Sequence, residues 1–166
     1  LWLALARNLH NVHGGAVSQP LPDKIEWRSL AMRVLIVEDD LTGSRLMKKF
    51  LEADCFCHLA FDGREAIEAF EAALKEGKPY DLLFLDIMMP EVNGIDVLKA
   101  VRKMEDQRGI VPDKGVKVIM TTAMNDADVI MESFNARCDG YIVKPVRKEK
   151  LFEEIENLGF LPQNYR

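Results

Sequence analysis

Five side chains able to do joint chemistry stand at the ends of short apolar runs. Glu38 and Asp39 follow Val34–Val37, Asp86 follows Leu82–Leu85, Thr122 ends Lys117–Thr122, and Lys144 follows Gly140–Val143. Gathered in one pocket, three carboxylates repel, and one is pushed towards protonation unless a cation joins them. A divalent ion with oxygen ligands suits such a set, and Mg²⁺ takes one or two carboxylates plus a phosphate while keeping several waters. Lys144 adds a compact positive charge and Thr122 a hydroxyl donor. That inventory fits a phosphoryl group carried on Asp86, by nucleophilic carboxylate chemistry and charge clamping. Singly, each residue has a plainer reading: Asp86 as a surface acid opening a loop, Lys144 as a solvated charge, Thr122 as a strand-end hydroxyl.

The elements that must position these groups alternate along the chain. Leu82 to Leu85 is apolar without interruption, as in a strand covered on both faces of a parallel sheet. Pro90, Asn93 and Gly94 mark the turn after it. Upstream, strand Val34–Val37 precedes a helix from Leu41 to Ala53 with Leu46, Met47, Phe50 and Leu51 at helical spacing. Cys57–Ala60 is a second short strand, and Asp62 caps a helix through Ala66, Ile67, Phe70 and Leu74. Downstream of Gly94 a helix carries Ile95, Val97, Leu98 and Val101, followed by a loop from Gln107 to Gly115. Strand Lys117–Thr122 precedes a helix capped by Asp126, with Ile130 and Phe134 expected to face the core. Strand Gly140–Val143 leads to a last helix from Lys148 to Leu158, ended by Gly159. Five β-then-α units specify an α/β fold, a doubly wound parallel sheet with helices on both faces. In such sheets ligands bind outside the carboxyl ends of the strands, where these groups lie.

Composition narrows the functional classes. Of 166 residues, 30% are charged and the net charge is −5, which argues against nonspecific nucleic-acid binding. Three cysteines, Cys55, Cys57 and Cys138, lack C-x-x-C spacing and read as core thiols of a reducing, cytoplasmic compartment. Cys55-Phe56-Cys57-His58 lacks the remaining ligands of a zinc site. No run reaches the length of a membrane span. Residues 1–31 show no sustained period and read as a leader or appended extension, with a short docking helix as the alternative. Residues 32–160 then form the domain and 161–166 a tail.

Val34-Leu-Ile-Val-Glu38-Asp39-Asp40, Leu85-Asp86-Ile-Met-Met-Pro90, Thr121-Thr122-Ala123 and Tyr141-Ile-Val-Lys144-Pro145 together resemble the response-regulator receiver domain of two-component signalling, of the chemotaxis-regulator type. The resemblance implies a flavodoxin-like five-stranded sheet in the order 2-1-3-4-5. It implies that Asp86 is the phosphoacceptor, and that Asp39, Glu38, Asp86 and the Met88 backbone carbonyl hold Mg²⁺. Thr122 matches the switch hydroxyl, Tyr141 the aromatic switch and Lys144 the phosphate-contacting lysine, with a cis Lys144–Pro145 bond. The partners implied are a sensor histidine kinase or phosphotransfer protein in a phosphorelay, and a downstream protein target. No direct nucleic-acid or membrane partner is implied, and the domain is expected as a monomer or a phosphorylation-dependent dimer.

The expected function is a stand-alone switch that signals through its helix 4/strand 5/helix 5 face, with Val129, Met131, Arg147 and Lys148 as candidate exposed contacts. It is expected to assist its own phosphorylation and slow dephosphorylation rather than act as an enzyme. Met88 and Met124, flanking the approach of water to Asp86, suggest a persistent phosphoryl state. Two features depart from the family: Arg137 stands where Gly is frequent, and the 107–115 loop is longer. A phosphohydrolase of the haloacid-dehalogenase type is disfavoured, because Met88 stands where its second Asp belongs. A flavin or dinucleotide binder is disfavoured because no glycine-rich loop follows the first strand.

Overall fold

The computed structural model describes residues 32–123 and 130–160, together with the backbone of 127–129. Five strands, β1 (Met32–Val37), β2 (Cys55–Ala60), β3 (Leu82–Asp86), β4 (Lys117–Thr122) and β5 (Gly140–Val143), alternate with helices α1 (Leu41–Leu51), α2 (Gly63–Lys75), α3 (Gly94–Gln107), α4 (Ala127–Asn135) and α5 (Lys148–Asn157). All paired strands are parallel, in the order β2-β1-β3-β4-β5. The order reverses at β1, so a crevice opens between the ends of β1 and β3. Val37 pairs with Leu85 there, which sets Glu38 level with Asp86.

The apolar runs of the strands divide by alternation into two cores. Leu35, Val37, Leu83, Leu85, Val118 and Met120 pack on one face with Phe70 of α2 and Val97, Leu98 and Val101 of α3. Val34, Ile36, Leu82, Phe84, Ile119 and Ile142 pack on the other with Met47 and Leu51 of α1 and Leu151, Phe152 and Ile155 of α5. Each such side chain contributes about 1.5–3 kcal/mol when fully buried. A strand buried on both faces needs every position apolar, which is why β3 shows no alternation in sequence.

Several local expectations change. β2 begins at Cys55, two residues earlier than its apolar pattern indicated. In α1 the buried residues are Ser44, Met47 and Leu51, so Leu46 falls off that stripe and is exposed. In α4 Ser133 is buried and Phe134 is exposed, the reverse of the expected inward Phe134. The 107–115 loop is partly ordered: α3 runs to Gln107, and a single 3₁₀ turn spans Pro112–Lys114. The Asp126 cap lies outside the described residues.

The three thiols are half-buried and free, Cys55 and Cys57 against the α1/α5 core and Cys138 against the other. Burial pushes their pKa values up, to about 12, 11 and 11 respectively. An unfolded thiol titrates near ~8.5, so above that pH the unfolded chain binds fewer protons and stability falls as pH rises towards the folded values. Between pH 8 and 10 each thiol is expected to cost up to about 2 kcal/mol. Urea midpoints of the protein should therefore drop more steeply over that interval than those of a Cys55→Ala/Cys57→Ala/Cys138→Ala variant. Equal slopes would contradict it.

Candidate functional site

Asp86 closes β3, and its side chain continues the Leu82–Phe84 face of the sheet. The chain beyond is fixed by Ile87 N–H donating to Thr121 O at 3.0 Å. Glu38 is held just past β1 by its N–H to Ala60 O at 3.1 Å. Lys144 follows β5, tied by its N–H to Thr122 O at 2.7 Å, and the Lys144–Pro145 bond is cis as expected. From there the ammonium reaches across the sheet. Its Nζ donates to Glu38 Oε1 at 2.7 Å and to Asp86 Oδ2 at 2.8 Å. The second oxygen, Asp86 Oδ1, accepts from Met88 N–H at 3.1 Å.

Glu38 and Asp86 are buried and Asp39 is exposed, and one oxygen from each lies within 4.8 Å of the others. Burial raises the pKa of Glu38; the Lys144 hydrogen bond opposes this and the neighbouring Asp86 charge adds to it. Burial would lower the pKa of Lys144, but its bonds to Asp86 and Glu38 win and raise it. One ammonium among three carboxylates leaves negative charge uncompensated in a partly dry crevice. An all-oxygen donor set with one member open to solvent fits a hard divalent cation. Such an ion would be held by Glu38, Asp39 and Asp86.

Thr122 is buried at the end of β4, and Lys144 and Thr122 share the backbone link above. Tyr141 lies on the edge strand, 37% exposed, with its ring edge-on to Phe134. Met88 is 59% exposed. Met124 and the Val129 side chain lie outside the described residues, whereas Met131, Arg147 and Lys148 are exposed.

The third acid after β1 has a different task. Asp40 caps α1, accepting from Thr42 N–H at 3.2 Å and Gly43 N–H at 2.8 Å. An Asp directly before a helical apolar pattern is the signal that marks it. Asp62 and Asn93 cap α2 and α3 in the same way, accepting from Glu65 N–H at 2.8 Å and Asp96 N–H at 2.9 Å. The Asn93 cap starts α3 immediately beside Asp86.

A family model described as the response regulator receiver domain matches residues 34–156. The chain is 33% identical over 133 residues to the chemotaxis protein CheY of Thermotoga maritima, covering 78% of this chain and 99% of that protein. It is 28% identical over 125 residues to the transcriptional regulatory protein CitT of Halalkalibacterium halodurans, covering 75% of this chain but only 50% of that regulator's length. Among solved structures it resembles a chain of the co-crystal of the Saccharomyces cerevisiae phosphotransfer protein Ypd1 with the receiver domain of Ssk1, at TM-score 0.67 and 29% identity, covering 78% of this chain and 89% of that one. Receiver domains are in general phosphoacceptor switches that bind Mg²⁺, and the Glu38, Asp39 and Asp86 cluster is compatible with that ion. With the 2-1-3-4-5 sheet and a family match over most of its length, the chain belongs to the response-regulator receiver family of two-component signalling.

Proposed function

We propose that residues 32–160 act as a phosphoacceptor switch, with Asp86 taking a phosphoryl group from a phosphohistidine on a sensor kinase or phosphotransfer protein. An oxygen of the Asp86 carboxylate attacks phosphorus, the P–N bond to the donor histidine breaks, and an acyl phosphate forms. Lys144, already within hydrogen-bond reach of Asp86, meets the incoming oxygens as a positive charge. Glu38, Asp39, Asp86 and the Met88 carbonyl would hold Mg²⁺, which when bound supplies charge neutralisation at the phosphoryl oxygens. Thr122 and Tyr141 are the switch pair, turning a charge event at Asp86 into a change on the surface of α4, β5 and α5. A downstream protein would read that surface, where Met131, Arg147 and Lys148 are exposed.

The observation that carries this reading is the Lys144 bridge between Asp86 and Glu38 at the carboxyl edge of the sheet. The Ypd1–Ssk1 co-crystal, in which a receiver sits with a phosphotransfer protein, supports the class of donor. Acetyl phosphate with Mg²⁺ should raise the intact mass of the protein by one phosphoryl group, and Asp86→Asn should abolish the adduct. Undiminished labelling of Asp86→Asn would move the chemistry to another residue and end the assignment.

A further inference from the structure

Phe134 lies on the flank of α4 that faces the sheet edge. With Ser133 buried beneath the helix, its neighbour Phe134 is turned out and remains 46% exposed. It does not stand alone there. Its ring meets that of Tyr141 at 6.2 Å between centroids and 87° between planes. Both values fall in the range of favourable edge-to-face pairs. Tyr141 pairs with Met120, two residues before Thr122, so the Tyr141 and Thr122 side chains leave the same face of the sheet. Among the described residues, β5 has no strand on its outer side, and the aromatic ring paired with Tyr141 is that of Phe134 on α4.

We infer that Phe134 is a positioning residue for the switch: its ring holds Tyr141 in the half-exposed orientation, and losing that contact shifts the resting domain towards the inward, activated arrangement. This deepens the reading of Thr122 and Tyr141 as the switch pair and rests on it. An inward turn of Tyr141 towards Thr122 carries its ring away from Phe134, so the contact exists in one of the two states only. A contact with that property biases the equilibrium by its own strength. An aromatic edge pair corresponds to a population shift of roughly 3- to 10-fold. Phosphorylation would work against this bias, and the bias sets how silent the unphosphorylated domain is.

The test uses the full chain with ring-¹³C tyrosine, the Tyr141 signal being identified by its loss in Tyr141→Phe. Spectra are compared for wild type, Phe134→Ala, Phe134→Leu and Phe134→Tyr, with and without beryllofluoride and Mg²⁺. Without the phosphoryl mimic, the Tyr141 resonance in Phe134→Ala and Phe134→Leu should move part of the way to its beryllofluoride-bound position. Labelling of Asp86 by acetyl phosphate should accelerate about 3- to 10-fold in the same two variants. Phe134→Tyr keeps a ring edge and should match wild type in both measurements. An unmoved Tyr141 signal and an unchanged labelling rate in Phe134→Leu, which keeps apolar bulk without a ring, would overturn the proposal. A displaced Tyr141 signal in variants whose Asp86 takes no label at all would instead strike the phosphoacceptor reading and leave the ring contact standing.

Discussion

Gly94→Ala is expected to lose on the order of 3–5 kcal/mol of stability, a large share of what a domain of this size has to spare. A Cβ at position 94 would lie 2.1 Å from the Asp86 carbonyl oxygen, 2.8 Å from its carbon and 3.0 Å from Ile87 Cα. These are backbone atoms at the end of the central strand and just beyond it, so no rotamer change makes room. The helix itself must retreat. α3 begins at this residue, its Asn93 cap bonded to Asp96 N–H and its own Gly94 N–H donating to Ile87 O at 3.1 Å. Backing the helix away strains those bonds and opens the Val97, Leu98 and Val101 packing against the sheet. Gly77→Ala serves as the contrast: its φ of +69° makes alanine strained, but nothing lies within 4 Å of the added carbon. That change should cost about 1 kcal/mol. Urea denaturation of both variants decides the matter. A Gly94→Ala protein within about 1.5 kcal/mol of wild type would mean the α3 start adapts freely, which overpacking against backbone does not allow. Because the contact is with Asp86 itself, the surviving folded fraction should also label more slowly with acetyl phosphate.

What was legible in the sequence follows from which physics is local. Apolar runs located all five strands, β2 only in part because His58 interrupts it. A carboxylate, hydroxyl or lysine ending a run located the pocket, because the sheet brings strand ends together whatever the helices do. That Lys144 stands in one pocket with Glu38 and Asp86 was legible for that reason, whereas its bridge between the two carboxylates was not. Helix faces were less so. Ile130 and Phe134 share i, i+4 spacing and predicted a buried pair, but Ser133 took the inward position and Phe134 found Tyr141 instead. Periodicity marks an apolar face without saying whether it meets the core or another element's flank. Asp40 appeared in the sequence only as part of the acidic run after β1, although its position before Thr42 and Gly43 suits an N-cap. The largest omission is a buried network around Arg102. An arginine on a helix ordinarily reads as a solvated charge, and its partners here stand up to 37 positions away in the chain.

Arg102→Met is expected to destabilise the domain by about 3–5 kcal/mol, the range for removing one partner of a buried ion pair. The guanidinium is buried and makes five hydrogen bonds: Nη1 to Glu105 Oε2 at 2.7 Å and Val116 O at 2.9 Å, Nη2 to Arg137 O at 2.8 Å and Asp139 Oδ2 at 2.9 Å, and Nε to Arg137 O at 3.1 Å. Glu105 in turn accepts from Val116 N–H at 2.7 Å, and Asp139 from Val118 N–H at 2.9 Å and Lys117 Nζ at 3.1 Å. One side chain thus joins the end of α3, the entry to β4 and the turn between α4 and β5. That turn contains Arg137 at φ 68°, the left-handed position where the family frequently has glycine. The two bonds to its carbonyl offset the roughly 1 kcal/mol that a non-glycine residue costs there. Methionine fills similar space but leaves Glu105 buried with an uncompensated charge and the Arg137 carbonyl without these donors. Removing the charge as well, in Arg102→Met/Glu105→Met, should recover part of the loss, although Val116 N–H then lacks its acceptor. Thermal unfolding of the two singles and the double gives the coupling directly. A loss below about 1 kcal/mol in Arg102→Met, or strict additivity in the double, would show that the network contributes little. The consequence for signalling is positional. Arg137 and Asp139 lie within the segment that runs from Phe134 to Tyr141, so the same arginine that stabilises the domain holds the turn where α4 ends and β5 begins.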